Sequence, residues 1–203
     1  CDLIVSVHQL SNTPFLHMLK QMQAHGRAHI PFVIVVTDMV STHAFWYDNR
    51  ADLVIVPTEA ARQRGLKMGL VPDQVRVVGM PVAERFARPV GDKTELREKL
   101  GWPQDRLVAL LVGGGEGMGP LEATARAVDA AGLPVAQVII AGRNQKLQQR
   151  LSSTVWQNPT RVYGFVQNMP DFMGAADVLV TKAGPGTISE GFIAGLPLIL
   201  YSK

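Results

Sequence analysis

Short runs of Val, Ile and Leu recur along the whole chain, separated by segments of helix length. This alternation restricts the fold more than any other feature. Candidate strands lie at 3–7, 32–37, 53–57, 76–78, 107–112, 137–141, 161–163, 178–181 and 198–200. They are continuous apolar runs rather than in-and-out alternations, the pattern of parallel strands covered on both faces. Helical stretches fall between them at 14–23, 59–68, 93–100, 121–131, 144–151 and 187–194. Strand–helix–strand repetition predicts a doubly wound α/β architecture.

The chain is long enough for two such sheets. Of its 203 residues 47% are apolar and only 18% charged, which excludes a disordered linker. Glycines and prolines cluster at 79–92 (Gly79, Pro81, Pro89, Gly91), just before Asp92, a good helix N-cap. A new strand series restarts at Leu107, so we expect a partial first α/β domain over 1–85 and a second over 86–203.

Charge and cysteine content narrow the function classes. Residues 1–90 carry 9 basic and 7 acidic side chains, and 91–203 carry 11 and 10. Neither half is a polycation, so nucleic acid is not an expected partner. A mildly basic surface suits an anionic membrane face or a phosphate-bearing ligand. The apolar runs are far shorter than the roughly 20 residues of a membrane span. The single cysteine, Cys1, has no internal partner, which points to a reducing, cytoplasmic setting. The chain begins without Met in a strand-like segment, and we read it as an excerpt of a longer protein.

Two glycine-rich turns carry the chemistry. Gly113-Gly-Gly-Glu-Gly-Met-Gly-Pro120 joins a strand to a helix and exposes backbone N–H groups at a positive helix end, a setting for phosphate. It is not a Walker loop, because Gly119 is followed by Pro120 rather than Lys. Nor is it a dinucleotide fingerprint, because Met118 stands where a small residue is needed. The next strand also ends in Gly142-Arg143-Asn144 rather than an acidic residue. Alone, such a loop is as well explained by a tight turn. The second, Thr181-Lys-Ala-Gly-Pro-Gly-Thr-Ile-Ser-Glu190, again joins strand to helix, with Thr187 or Ser189 as the expected cap. It sets N–H donors beside Lys182 and places Glu190 where a carboxylate can grip a ribose diol. A third segment, 162–169, runs out of a strand through Phe165, whose ring can cover a nucleobase while the Val166 backbone meets its edge. A core role for Phe165 fits the spacing equally well.

All five histidines fall in the first 43 residues. His25 and His29 have the i, i+4 spacing of a metal pair, but a frayed helix end explains them more simply. His8 and His43 each follow a strand's carboxyl end and are candidates to line an acceptor site, with Asp38 on the same edge to orient one of them.

The runs 113–126, 142–147 and 181–190 together resemble monogalactosyldiacylglycerol synthase, the family that makes galactolipids of photosynthetic membranes. The upstream runs Val5-Ser-Val-His8, Val36-Thr-Asp38 with His43 and Trp46, and Val78-Gly-Met-Pro-Val82 are similar to its first domain. Diacylglycerol glucosyltransferases and the lipid-linked N-acetylglucosaminyltransferase of peptidoglycan synthesis share the layout more distantly. The resemblance implies two facing Rossmann-like domains of the glycosyltransferase B type, both incomplete here. The first would bind the lipid acceptor and the second the UDP-sugar. It implies Gly114, Gly115, Glu116 and Gly117 beside the phosphates, with Arg143 and Lys182 as nearby cations. Phe165 and Val166 would meet the uracil, Gly184, Pro185, Gly186 and Thr187 the diphosphate, and Glu190 the ribose hydroxyls. The family's catalytic base would lie before Cys1, and a Gln/Glu-rich sugar-contacting motif after Lys203.

The implied activity is an inverting transfer of galactose from UDP-galactose to diacylglycerol at an anionic membrane surface, by a peripheral membrane protein. No Asp-x-Asp occurs in the chain, so no metal or other cofactor is expected. A glucosyltransferase using UDP-glucose, a UDP-sugar epimerase and a non-catalytic nucleotide-binding module are the alternatives.

Overall fold

The structure, a computed structural model, describes every residue except Pro89, Met118 and Lys203. Pro89 of the expected boundary and Met118 of the first glycine loop therefore lie outside the described residues. The chain divides into two compact units, Cys1–Pro81 and Val82–Lys203. The division falls before the expected boundary at 85/86. Phe86, at 7% exposure, ends a short 3-10 turn (Glu84–Phe86) and packs into the core of the second unit.

In the first unit β1 (Ile4–Ser6), β2 (Phe32–Val35), β3 (Leu53–Val56) and β4 (Val75–Val77) form a parallel sheet in sequential order. Phe32, Ile34, Val54 and Val56 fill its core, with Leu16 of α1 (Gln9–Ala24) and Ala61 of α2 (Glu59–Lys67). Helix α1 starts earlier than expected and contains Pro14 rather than beginning there. Its early turn is held by tertiary bonds: buried Asn12 accepts from Ser6 Oγ at 2.6 Å and donates to the Phe45 carbonyl at 3.1 Å. Two well-placed buried bonds outweigh proline's preference for a first-turn position.

In the second unit the sheet order is β7-β6-β5-β8-β9, all parallel. The strands are β5 (Leu107–Val112), β6 (Val135–Ile140), β7 (Thr160–Tyr163), β8 (Val178–Lys182) and β9 (Leu198–Ser202). Connections run outward in one direction from β5 and return beyond it through β8, so the β5/β8 seam is a topological switch point. Thr181 Oγ1 donates to the Val112 carbonyl across that seam at 2.9 Å. The central strand is covered on both faces, as its unbroken apolar run requires. Val108, Leu110 and Val112 meet Trp102 together with Phe172 and Met173 of α6 (Met169–Ala175). Ala109 and Leu111 meet Leu121 and Ala125 of α4 (Leu121–Ala130), and Leu147 and Leu151 of α5 (Gln145–Ser152). Each of these leucines contributes roughly 1.5–3 kcal/mol by leaving water.

Two further devices anchor the layer under β7. Trp102 Nε1 donates to the Tyr163 hydroxyl at 3.1 Å, and Phe172 sits edge-on to both rings, at 5.2 and 4.9 Å between centroids. Helix α3 (Lys93–Leu100) is capped by Asp92, which accepts from Thr94 N–H at 2.8 Å. From it, buried Arg97 pairs with Asp177 and donates to the Ala175 carbonyl. Helix α6 lies where the sequence suggested a loop running out from Phe165. Its seven residues include Pro170 and Gly174, and Phe172, Met173 and Ala175 hold it in place by burial.

Candidate functional site

The loops at the carboxyl ends of β5, β6, β7 and β8 converge beside the switch point. In the loop after β5, Gly114, Gly117 and Gly119 take φ values of +79°, +58° and +91°, which only glycine adopts without strain. Gly117 N–H donates to the Gly114 carbonyl at 3.0 Å. The loop after β6 is pressed against it. Arg143 N–H donates to the Gly115 carbonyl at 2.8 Å, and a Cβ on Gly142 would collide with the carbonyl oxygens of Gly114 and Gly115. Asn144 then caps α5, accepting from Leu147 N–H at 3.0 Å.

The last strand of the group, β8, leads through Lys182 into α7 (Pro185–Ile193). Its N-cap is Gly184 with Pro185 at the first position, and no side chain caps it. The expected caps, Thr187 and Ser189, are inside the helix instead, and Ser189 is buried. Proline at the first position already sets the starting φ, so the first-turn N–H groups remain open to an anion.

Together these loops enclose a cavity of about 240 Å³. Its lining includes Gly114, Gly115, Phe165, Val166, Gly186, Thr187 and Glu190, seven of the residues proposed from sequence. Phe165 is 53% exposed, so its ring belongs to the site and not to the core. Glu190 is half-buried at the cavity wall. Burial pushes its carboxyl above the usual carboxylate range, and the charge of Arg85 pulls it part of the way back.

The remaining expected residues stand around the cavity rather than in its wall. Arg143 places its guanidinium 4.4 Å from the Phe165 ring centroid, and Glu116 accepts from it at 2.7 Å. A cation stacked this way braces the ring. Lys182 reaches the other loop: a Cβ on Gly114 would lie 3.3 Å from Lys182 Cε. Gly117 faces outward toward Pro120 and Arg150, and Gly184 and Pro185 begin α7.

Six lining positions were missed: Arg85, Phe86, Gly142, Met169 and the strand ends Val112 of β5 and Ile140 of β6. Gly142, whose φ is +62°, had a signal in its place between a strand and Arg143. Met169 depends on α6, and Arg85 on how the chain folds back after Pro81. Nothing local announces either.

The acceptor-side candidates lie in the first unit. His8 is the N-cap of α1, its Nδ1 accepting from Leu10 N–H at 3.4 Å. His43 starts a 3-10 turn (Ala44–Trp46), its Nδ1 accepting from Phe45 N–H at 3.2 Å. Asp38 orients neither imidazole. It accepts from Trp46 Nε1 at 2.7 Å, because a buried indole needs an acceptor. His25 ends α1 and His29 pairs with Asp52 at 2.7 Å, so the two do not share a helical face. Among the described residues no group of three or more His, Cys, Asp or Glu is gathered to hold a metal ion. None of the described helices is long and apolar enough to cross a membrane.

The sheet order, the paired loops and the cavity at the switch point define a class, the Rossmann-like units of the glycosyltransferase B-type fold. Solved structures agree with it. Anabaena HepE in complex with UDP-glucose matches 98% of this chain and 59% of its own, with a TM-score of 0.61 at 20% identity. Acinetobacter baumannii MurG matches 100% of this chain and 52% of its own, with a TM-score of 0.64 at 19% identity. Residues 1–82 match the monogalactosyldiacylglycerol (MGDG) synthase family, and residues 108–201 the glycosyltransferase family 28 C-terminal domain. A probable chloroplastic monogalactosyldiacylglycerol synthase of Glycine max is 45% identical over 206 residues. The chain thus belongs to the monogalactosyldiacylglycerol synthase family. The match covers 98% of the chain but 38% of that relative's length.

Proposed function

We propose that the chain is part of an inverting glycosyltransferase that moves galactose from UDP-galactose to diacylglycerol at a membrane surface. The observation that carries this reading is the cavity at the switch point, with Phe165 on one side, Glu190 on another and an uncapped helix end between. Each wall suits one part of UDP. The Phe165 ring stacks on the uracil. The Glu190 carboxylate accepts from the ribose hydroxyls. Backbone N–H groups of the cavity-lining Gly114, Gly115, Gly186 and Thr187 meet the diphosphate.

Attack by the acceptor hydroxyl on the anomeric carbon breaks the bond to the diphosphate from the opposite side, inverting the configuration. The hydroxyl proton passes to a base, which by family resemblance lies outside this chain. Negative charge grows on the leaving diphosphate. The α7 N-terminus and Lys182 stabilise it there, oriented before the reaction begins. Arg143 contributes by holding Phe165. The first unit, with His8 and His43 as helix caps near the carboxyl ends of β1 and β2, is the acceptor side. The setting we favour is a peripheral one on anionic lipid, facing the cytoplasm.

Calorimetry of the 203-residue chain with UDP tests the binding part. We expect binding without added divalent metal. No binding, or binding only with magnesium, would remove the reading. Assays of the longer protein with UDP-galactose and UDP-glucose against diacylglycerol test the donor, and faster transfer from UDP-glucose would make it a glucosyltransferase.

A further inference from the structure

Arg85 is absent from the motifs that suggested a nucleotide site, yet it shares the cavity wall with Glu190. It belongs to the short turn Glu84–Phe86, the first element of the second unit. Its guanidinium lies 5.5 Å from the Phe86 ring centroid, and Phe86 is buried in the core. The side chain is therefore seated on a fixed ring. Among the described residues it forms no ion pair with any carboxylate within 4.0 Å. Arg85 and Glu190 are the two charged side chains in the cavity lining.

We propose that Arg85, from the same cavity wall, is a positioning residue that acts through Glu190 by keeping its carboxylate charged, making the site select a nucleotide with an intact ribose diol. This rests on the reading of the cavity as a UDP site. A half-buried carboxylate has lost part of its hydration, and without a nearby cation it takes up a proton more readily. Protonated, it becomes one donor and a weaker acceptor, and it grips two hydroxyls poorly. The other charges around the cavity are already engaged. Glu84 pairs with Arg88 at 2.6 Å, and Glu116 with Arg143 at 2.7 Å. Lys182 sits against Gly114, outside the lining. Arg85 is the cation whose field acts on Glu190.

The test uses the 203-residue chain as wild type, Arg85→Gln and Arg85→Lys. Carbon-13 NMR of the glutamate carboxyls follows Glu190 in the ligand-free protein, with Glu190→Gln identifying its signal. Calorimetry then measures UDP and 2′-deoxy-UDP from mildly acidic to neutral pH. We expect Arg85→Gln to move the Glu190 titration upward and Arg85→Lys to restore it. UDP should bind about two- to fivefold more weakly to Arg85→Gln near neutral pH, the scale of a partly exposed charge pair. The loss should grow as the pH falls, while 2′-deoxy-UDP changes less. An unmoved Glu190 titration, or equal losses for both nucleotides, overturns the proposal. A titration that moves while the wild type binds no UDP overturns it differently, by showing that the cavity is not a nucleotide site.

Discussion

The backbone N–H of Arg143 donates to the carbonyl of Gly115 at 2.8 Å, which ties the loop after β6 to the loop after β5. The contact exists because glycine occupies both sides. A Cβ on Gly117 would run into the Ala141 carbonyl and lie 2.9 Å from Asn144 Cβ. Gly117→Ala should therefore lower the melting temperature of the second unit and abolish UDP binding. The left-handed backbone alone costs about 1–2 kcal/mol, and the collision adds to it. Gly184→Ala is the contrast. Its φ of −86° suits any residue and nothing lies within 4 Å of the added carbon. Thermal melts should leave Gly184→Ala unchanged, and calorimetry should still show weakened UDP.

Phe165→Ala should separate stability from binding. The ring is more exposed than buried, so the melting temperature should move little. A base stacked on an aromatic ring contributes roughly 1–3 kcal/mol. We expect UDP to lose affinity on that scale, while inorganic diphosphate, which has no base, binds as before. Equal losses for both would place Phe165 away from the uracil.

Glu190→Gln should stabilise the ligand-free protein. The folded carboxyl titrates above its ordinary value because burial disfavours its charge. The folded state thus holds more protons than the unfolded chain, and stability falls as the pH rises from about 4 through the raised value. Glutamine removes that penalty. Melts near pH 7 should show the variant more stable than wild type, with the gap closing toward pH 4, even as UDP affinity drops.

Asp177 has the opposite sign. Burial alone would raise its carboxyl, but Val108 N–H at 2.7 Å, Lys93 at 2.9 Å and buried Arg97 outweigh it and hold it low. Its contribution is present above the ordinary carboxylate value and is lost as the pH falls through the lowered one. Asp177→Ala leaves Arg97 buried without its partner, a loss of about 3–5 kcal/mol. Urea titration at neutral pH measures it.

Helix α1 offers a membrane test. Leu16 points into the core, whereas Phe15, Met18 and Met22 are exposed along one side, with Lys20 and Arg27 nearby. An apolar face beside cations suits an interfacial contact. Co-sedimentation with anionic vesicles should fall for Phe15→Ser with Met18→Ser and weaken with salt. Binding that survives both substitutions would move the contact elsewhere.

Most of the strands were legible, because a parallel sheet covered on both faces writes itself as unbroken Val/Ile/Leu runs. The run at 107–112 matches β5 end to end. Helix α6 was not, since Pro170 and Gly174 make a poor local helix that only burial of Phe172 and Met173 rescues. The start of α1 was hidden for a similar reason, its anchor being the long-range bond from Asn12 to Phe45. At the site, glycines announced the loops, because a left-handed turn needs them. Arg85 and Met169 were silent. Their place at the cavity comes from chain segments that meet only after folding.

The three tryptophans are distributed in a way that makes the chain its own instrument. Trp46 is buried in the first unit beside Asp38, while Trp102 and Trp156 belong to the second. A Trp102→Phe, Trp156→Phe chain emits from the first unit alone, and Trp46→Phe from the second alone. Trp102 also touches Tyr163, two residues before Phe165, so its emission registers how the loop that carries Phe165 leaves its strand. Events in the two units become separable optical signals in one molecule, with no dye attached.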